Sequence, residues 1–204
     1  MDQKPFIVGL SGVSGSGKTT FLNRLRACFD GDHICVISQD NYYKKKELQL
    51  KDQKGIHNFD RPESIHKDAF ISDFQSLLNG KSIELEEYTF NNELATTKKI
   101  LIKPAPIIFV EGLFVFHYEE IRSLLDLKLF LNIKESTAFG RRIKRDQIER
   151  NYPLEDILYR YENHVLPNYE KFIKPYLYEA DLVLNNQNDF GIAVDVIATY
   201  LKNR

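Results

Sequence analysis

The sequence predicts an α/β protein in which a mostly parallel sheet lies between two layers of helices. Apolar runs of strand length alternate along the chain with segments whose apolar residues recur at helical spacing. Strands that alternate with helices form parallel βαβ units, and these units place helices on both faces of the sheet. We therefore expect a three-layer sandwich, to which a small β-hairpin insertion is added.

The first strand and the first helix enclose a glycine-rich loop. Residues 6–10 form an apolar run typical of a buried strand, and residues 19–28 place their apolar side chains on one helical face. Between them, residues 12–19 match the G-x-x-x-x-G-K-[ST] pattern of a phosphate-binding loop. A chance glycine- and serine-rich turn is the alternative. The strand before the loop and the helix after it favour phosphate binding and a fold of the P-loop NTPase type.

Each part of this loop has a separate task on a nucleoside triphosphate. The glycines let the backbone curl so that its N–H groups point at the phosphates, and the helix N-terminus adds its positive dipole end. Lys18 can reach the β- and γ-phosphates, and the Thr19 hydroxyl can bind Mg²⁺. The residues expected to contact the triphosphate are Gly12, Val13, Ser14, Gly15, Ser16, Gly17, Lys18, Thr19 and Thr20.

The remaining elements follow in an alternating order. Strands are predicted at residues 33–38, 82–88, 99–103, 106–110, 127–133 and 180–184. Helices are predicted at residues 65–78, 136–150, 154–178 and 190–201. The third helix is expected to break near Pro167. The second and third of these strands are expected to pair as the hairpin. Residues 42–60 are polar and rich in lysine without clear periodicity, which predicts a loop or a lid.

Composition limits the classes of partner that the protein is expected to bind. The chain has 204 residues and a formal net charge of −1, so we expect no bulk attraction to nucleic acid or to a membrane surface. No apolar run approaches the length that a membrane-spanning helix needs. The length allows a single domain with an insertion and a large core. One sequence identifies no interface, so a homo-oligomer and a monomer both remain open.

Cysteine usage and the N-terminus predict a cytoplasmic location. Cys28 and Cys35 show neither the spacing of a zinc site nor a disulfide framework, as expected in a reducing cytosol. Residues 1–5 lead directly into the first strand, which leaves no room for a signal peptide.

Two acidic residues follow strands at the edge of the sheet where ligands bind. Asp40 comes directly after the second strand and has two interpretations. In the first, its carboxylate orients or deprotonates an acceptor hydroxyl or joins the Mg²⁺ shell; in the second, it caps a helix or a turn. Glu111 follows the apolar run at 106–110, which is the Walker B position. An acid at that position holds Mg²⁺ directly or through water, and a glutamate has the same chemistry as the usual aspartate.

A basic helix supplies candidate cations. Arg141 and Arg145 share one helical face, as do Arg142 and Arg145, and Arg150 lies beyond them. Such a charge run is commonly a solvated face. Carboxylates that could balance it are sparse in this segment, however, and cations over a triphosphate would stabilise the charge that develops during transfer.

Short motifs along nearly the whole chain resemble the uridine kinase (uridine–cytidine kinase) branch of the phosphoribulokinase/uridine kinase family. The phosphate loop alone is shared by many enzymes, whereas the S-Q-D-x-[FY]-Y and N-F-D-x-P stretches in this order are more specific. The matching segments are G-V-S-G-S-G-K-T-T at 12–20, S-Q-D-N-Y-Y-K at 38–44, N-F-D-R-P at 58–62, Y-T-F at 88–90, V-E-G at 110–112 and R-R-I-K-R-D at 141–146.

The resemblance implies a kinase that transfers the γ-phosphoryl group of ATP or GTP, with Mg²⁺, to the 5′-hydroxyl of a pyrimidine nucleoside. It implies one P-loop kinase domain over residues 1–204, with the hairpin at 82–103 and a helical lid at about 134–165. The catalytic residues would be Lys18, Asp40, Arg142 and Arg145, and Thr19 and Glu111 would bind the metal. Asp60 would bind ribose hydroxyls, and Tyr88 would line the base pocket. The lid arginines Arg142, Arg145 and Arg150 would close over nucleoside and phosphates. Asp189 would lie near the adenine.

Three residues depart from the family pattern in the acceptor pocket. Glu93 stands where the family has a base-reading histidine, Tyr152 where it has an arginine, and Arg160 where it has a glutamine. All three are expected to bind the substrate. An ionised glutamate only accepts hydrogen bonds, so Glu93 facing the base would favour cytosine over uracil. The alternative is that residues 91–98 are built differently and Glu93 is a solvated surface acid.

Two other functions remain open at this point. The altered pocket allows a different small hydroxyl acceptor, such as another nucleoside, a vitamin or a sugar phosphate. A nucleotide-binding regulatory protein without kinase activity is the second alternative. The joint presence of Lys18, Asp40 and Glu111 argues against it, because nucleotide binding alone does not need Asp40.

Overall fold

The protein is built around a parallel sheet, as the sequence predicts. The computed structural model describes residues 4–89 and 98–204. The main sheet has the strand order β2-β5-β1-β6-β7, and its paired strands all run parallel. Its strands are β1 (Phe6–Ser11), β2 (Ile34–Ser38), β5 (Ile107–Glu111), β6 (Leu127–Asn132) and β7 (Leu182–Asn185).

Two hydrophobic cores cover the two faces of this sheet. The side chains of Ile7 and Val8 are both fully buried, and because they are adjacent in β1 they enter opposite cores. The helices of the described residues are α1 (Lys18–Arg26), α2 (Lys67–Leu78), α3 (Glu119–Arg122), α4 (Glu135–Ile148), α5 (Leu154–Arg160), α6 (Leu166–Phe172) and α7 (Gly191–Lys202). Helices α1 and α7 pack in one core and α2 in the other. The three-layer α/β fold predicted from the sequence is therefore confirmed.

A separate hairpin packs beside α2. Strands β3 (Ile83–Glu86) and β4 (Lys99–Ile102) pair antiparallel with Ile83 opposite Ile102. Both isoleucines are buried in the same core as α2, which explains why this small sheet stays attached to the main body.

The expected break near Pro167 does not occur. Backbone from Leu154 to Phe172 stays helical, and the irregularity is a π-helical turn over Tyr161–Val165. Pro167 closely follows this turn, and a proline inside a continuous helix removes one backbone hydrogen bond and crowds the turn before it. The chain therefore adapts to the proline by widening the preceding turn. Among the described residues, no helix combines the length and apolar character needed to cross a bilayer.

Candidate active site

A cleft of about 510 Å³ opens at the carboxyl ends of the parallel strands. Parallel α/β sheets bind ligands at this edge, because loops from several strands meet there. The cleft brings together most of the residues predicted from the sequence. Those that line it are Ser14, Gly15, Gly17, Lys18, Thr19, Thr20, Asp40, Asp60, Tyr88, Glu111, Arg142, Arg145, Arg150, Tyr152, Arg160 and Asp189.

A few predicted residues are absent from the lining. Val13 and Ser16 are buried on the inner side of the phosphate loop, and Gly12 lies at its start. Glu93 lies outside the residues that the structure describes. Both interpretations of Glu93, base contact and surface acid, therefore stay predictions.

The phosphate loop requires glycine at positions where the backbone is left-handed and crowded. Gly17 has φ 97°, and a Cβ there would lie 2.6 Å from Asn186 Nδ2. That amide donates to the Ser16 carbonyl at 2.7 Å, so the end of β7 holds the loop from behind. Gly15 has φ 84°, and a Cβ there would lie 2.7 Å from the Ala138 carbonyl of α4. Because the loop is closely packed on both sides, its backbone is restricted to this curled conformation.

This loop fits a triphosphate. The Ser16 hydroxyl is buried and has no hydrogen-bond partner among the described residues. Helix α1 begins at Lys18 with no acidic residue in its first turn, so nothing there competes with a bound anion. Lys18 folds back and donates from Nζ to the Gly12 carbonyl at 3.0 Å. Burial lowers the pKa of Lys18, whereas the carboxylates of Glu111 and Asp40 raise it.

The turn after β2 distinguishes the two interpretations of Asp40. Ser38 caps this 3₁₀ turn, because its hydroxyl accepts from the Asp40 N–H at 3.3 Å. Asp40 is thus not the capping residue, and its exposed side chain lines the cleft. The geometry agrees with a carboxylate that acts on a ligand.

Glu111 lies deeper, at the end of β5. Its carboxylate accepts a hydrogen bond from the Ser38 hydroxyl. Burial raises the pKa of Glu111 to about 7, and the negative charge of Asp40 adds to this, while Lys18 and Ser38 oppose it. A cation bound beside Glu111 would favour its ionised form.

The oxygen atoms here suit Mg²⁺. Thr19 and Glu111 supply a hydroxyl and a carboxylate, which are the hard ligands that this ion prefers. In residues 4–89 and 98–204, no group of three His, Cys, Asp or Glu side chains is assembled as a metal cage. Magnesium takes only one or two protein carboxylates alongside phosphate oxygens and waters, so this donor set fits it.

Asp146 is a central residue that the sequence interpretation missed. Its carboxylate is buried and lies 3.2 Å from Arg142, 2.9 Å from Arg145 and 3.4 Å from Arg150. The expectation that carboxylates are too sparse to balance this basic helix is therefore wrong for these three arginines. The spacing could have revealed it, since Asp146 is four residues from both Arg142 and Arg150.

Two further contacts of these arginines reach across the cleft. Arg142 Nη1 lies 3.2 Å from Asp60 Oδ1, so α4 is tied to the segment that carries the predicted ribose-binding residue. Arg145 Nη2 approaches the Ser14 hydroxyl of the phosphate loop at 3.5 Å. The basic helix thus contacts both the phosphate loop and the segment around Asp60.

Aromatic side chains form one wall of the cleft next to Asp60. The ring centroid of Tyr43 lies 5.5 Å from that of Tyr88 and 6.3 Å from that of Phe59. Such tilted pairs are a favourable arrangement for aromatic rings. Tyr43 and Phe59 are site residues that the sequence interpretation did not select, although each lies within a motif that it used.

Two of the departures from the family pattern are in contact with each other. The guanidinium of Arg160 lies 5.3 Å from the centroid of the Tyr152 ring, within cation–π range. Arg160 Nη1 also donates to the His57 carbonyl at 2.8 Å. The departures at Tyr152 and Arg160 therefore form one local change in the lining of the cleft.

Asp189 lines the cleft where α1 and the start of α7 meet. Its carboxylate forms an ion pair with Arg24 at 2.6 Å and accepts from the Gly191 N–H at the start of α7. Arg24 also lies 5.0 Å from the Phe190 ring. Arg24 and Phe190 line the cleft but were not selected from the sequence, because neither belongs to a motif.

These features together define a class of protein. A phosphate loop between β1 and α1, a carboxylate at the end of a neighbouring strand and arginines from a helix above them are the parts that phosphoryl transfer requires. The protein is a P-loop kinase, a phosphotransferase that acts on an alcohol group.

The comparisons with known proteins give the family. Residues 7–193 match the model of the Phosphoribulokinase / Uridine kinase family, and the chain belongs to that family. It is 32% identical to a uridine kinase of Lactobacillus johnsonii over 203 residues, covering 98% of this chain and 96% of the relative. It is 29% identical to a uridine kinase of Limosilactobacillus reuteri, covering 99% and 93%.

A solved structure agrees with the fold. The chain is similar to a structure described as a possible uridine kinase from Bacillus stearothermophilus, with a TM-score of 0.59 and 20% identity. The similarity covers 90% of each chain.

Proposed function

We propose that the protein transfers the γ-phosphoryl group of ATP or GTP to the 5′-hydroxyl of a pyrimidine nucleoside, uridine or cytidine. The curated relatives named above are uridine kinases, and they match over almost their whole length. The observation that carries the proposal is Asp40. Its carboxylate does not cap its own turn, and it shares one cleft with the phosphate loop and Asp60.

The donor half binds and orients the triphosphate. The N–H groups of residues 14–19 and the N-terminus of α1 would bind the phosphates, and Lys18 would leave the Gly12 carbonyl to reach them. Thr19 and Glu111 would hold Mg²⁺, which neutralises charge on the phosphate oxygens when it is bound. Asp189 would lie near the base of the nucleotide.

The acceptor half orients the hydroxyl. Asp40 would accept the proton of the 5′-hydroxyl, and Asp60 would bind the ribose hydroxyls. Tyr88 would contact the base with its aromatic face. Arg142 and Arg145 would stabilise the negative charge on the phosphoryl group during transfer.

We infer that residues 134–165 act as a lid within a single domain of residues 1–204, with the hairpin at 82–103 as an insertion. Arg142 of α4 contacts Asp60, and Arg145 approaches Ser14, so this segment is placed to cover both substrates. A cytoplasmic location agrees with chemistry on small diffusible substrates. The oligomeric state stays open between a monomer and a homo-oligomer.

A different small hydroxyl acceptor is the second candidate. The contact between Tyr152 and Arg160 favours it, because these residues replace a family arginine and a family glutamine at the acceptor end. Such a change alters both the charge and the hydrogen-bonding pattern that an acceptor meets.

A panel of acceptors scored by ADP release tests the proposal. Uridine and cytidine come first, followed by purine nucleosides, vitamins with free hydroxyls and sugar phosphates, each with ATP and with GTP. We expect uridine or cytidine to raise ADP release far above the rate without acceptor, and phosphate to appear on the 5′-hydroxyl. Stronger stimulation by an acceptor from another class would replace the pyrimidine nucleoside as the substrate. Uridine clearly preferred over cytidine would exclude a base-reading role for Glu93.

A further inference from the structure

The acceptor loop, residues 50–60, carries Asp60 into the cleft and folds back on itself before it arrives there. The Asp52 N–H donates to the Ile56 carbonyl at 2.9 Å, and the Gly55 N–H donates to the Asp52 carbonyl at 3.0 Å. The Asn58 N–H donates to the Leu50 carbonyl at 2.8 Å. The loop is thus a tight hairpin held together by hydrogen bonds between its own backbone groups.

The two carboxylate oxygens of Asp52 have different tasks. Oδ1 accepts from the N–H groups of Lys54 at 2.8 Å and Ile56 at 2.9 Å, which stabilises the turn itself. Oδ2 accepts from the Tyr159 hydroxyl at 2.8 Å. His164 Nε2 lies 2.8 Å from the same Oδ2 and donates to it, because a carboxylate can only accept. One oxygen shapes the loop, and the other attaches it to the helical segment behind it.

The π-helical turn makes this double contact geometrically accessible. In an α-helix, residues five apart point about 140° away from each other, so Tyr159 and His164 would not reach one atom. Bonding between residues i and i+5 widens the turn and brings such residues towards one face. The N–H of Leu166 bonds to the carbonyl of Tyr161 in this way. The π-helical turn therefore allows Tyr159 and His164 to contact the same oxygen of Asp52.

Burial strengthens this contact. His164 is 1% exposed, and the Asp52 side chain is 16% exposed. Lys54 lies 4.4 Å from the centroid of the Tyr159 ring and covers it from the solvent side. Desolvation opposes ionisation of Asp52, but hydrogen bonds from Ile56, His164, Tyr159 and Lys54 hold its pKa well below the ordinary range. Asp52 is therefore an ionised acceptor at neutral pH, and its hydrogen bonds are charge-assisted.

The same helical segment touches the loop again closer to the cleft. Arg160 donates to the His57 carbonyl at 2.8 Å. The Asp60 N–H then donates to Asn58 Oδ1 at 2.9 Å, and Arg142 contacts the Asp60 carboxylate. The path from Asp52 to Asp60 is short and hydrogen-bonded throughout, so a displacement at Asp52 would move Asp60.

We propose that Asp52, Tyr159 and His164 form a clamp of positioning residues that fixes the acceptor loop to the helical lid and thereby sets acceptor affinity. This rests on the proposed function in that Asp60 binds the acceptor. The clamp touches no reacting atom. It acts through Asp60 and Phe59, whose side chains line the cleft.

Tyr159→Phe tests the clamp with the least disturbance, because it removes one hydroxyl from Oδ2 and leaves the turn at Oδ1 intact. A lost hydrogen bond to a charged group predicts a roughly tenfold higher KM for the acceptor. The KM for the nucleotide should stay within about twofold. Tyr200→Phe is the matched control, because the Tyr200 hydroxyl accepts hydrogen bonds from Arg204, near the end of α7, and its loss should leave both constants unchanged.

Hydrogen exchange without any substrate supplies the second measurement. The amides of Ile56 and Asn58 should exchange several-fold faster in Tyr159→Phe and in His164→Gln than in the Tyr200→Phe control. Unchanged exchange would overturn the clamp, and so would faster exchange with an unchanged acceptor KM. If the wild-type protein phosphorylates no nucleoside, the proposed function fails. The clamp proposal is then tested by the same exchange rates together with the KM for whichever acceptor the panel identifies.

Discussion

The proposed donor half and the proposed acceptor half of the cleft are assembled in different ways. Most of the donor half comes from one continuous stretch, residues 12–20, with Glu111 and Asp189 added. The proposed acceptor half collects single side chains from the turn after β2, the acceptor loop, residue 88, α4, the loop that follows it and α5. One short continuous motif therefore supplies most of the first half, whereas contacts between residues far apart in the sequence position the second. A change in the second half can therefore alter specificity and leave nucleotide binding intact.

Asp40 connects the two halves, and its replacement should have the largest effect. Asp40→Asn keeps the shape of the side chain and removes the proposed base, so turnover should fall by about 10²–10⁴-fold. Nucleotide affinity should stay within about twofold, as measured by titration calorimetry. Asp195→Asn, at an exposed position on α7, is the matched control and should retain full turnover. Retained turnover in Asp40→Asn would mean that another group accepts the proton.

Asp146 should matter most for stability. Asp146→Asn leaves three arginines around a neutral amide, and breaking buried ion pairs from one side costs about 3 kcal/mol. Denaturant unfolding should show this loss in the free energy of unfolding. Asp156→Asn, on the exposed face of α5, should change it by no more than about 0.5 kcal/mol. Equal stability of the two variants would show that the arginines repel one another too little for Asp146 to be needed.

Replacement of Gly17 tests the phosphate loop separately from the proposed acceptor half. Gly17→Ala places a Cβ 2.6 Å from Asn186 Nδ2 at φ 97°, so the loop must distort, and nucleotide Kd should rise by at least about tenfold. Gly31→Ala carries the same kind of backbone penalty at φ 65°, but no atom lies within 4 Å of its Cβ. It should lower stability by about 1 kcal/mol with no change in Kd. If both variants bound nucleotide equally well, the close packing around Gly17 would not be what shapes the loop.

The same division explains what the sequence could predict. Residues 12–20 and Glu111 were identified because their spacing along the chain already encodes the geometry of the phosphate site. Tyr43 and Phe59 were missed because side-chain direction in a turn depends on distant neighbours. The sequence predicted a break at Pro167 where the structure has a π-helical turn, because a widened turn has no sequence signature as strong as a proline. Asp146 is different, because helical spacing alone would have paired it with Arg142 and Arg150.

Replacement of Arg160 should have the smallest effect, and its outcome distinguishes two roles of this residue, holding the acceptor loop and reading the base. Arg160→Gln removes the bond to the His57 carbonyl and the contact with the Tyr152 ring, so acceptor KM should rise by about fivefold with nucleotide KM unchanged. Arg204→Gln is the matched control, because Arg204 also stacks on aromatic rings but lies at the C-terminus. If uridine and cytidine lose affinity equally, Arg160 acts by holding the acceptor loop. If one nucleoside loses far more than the other, the guanidinium reads the base directly, and the exchange from glutamine is a change in specificity.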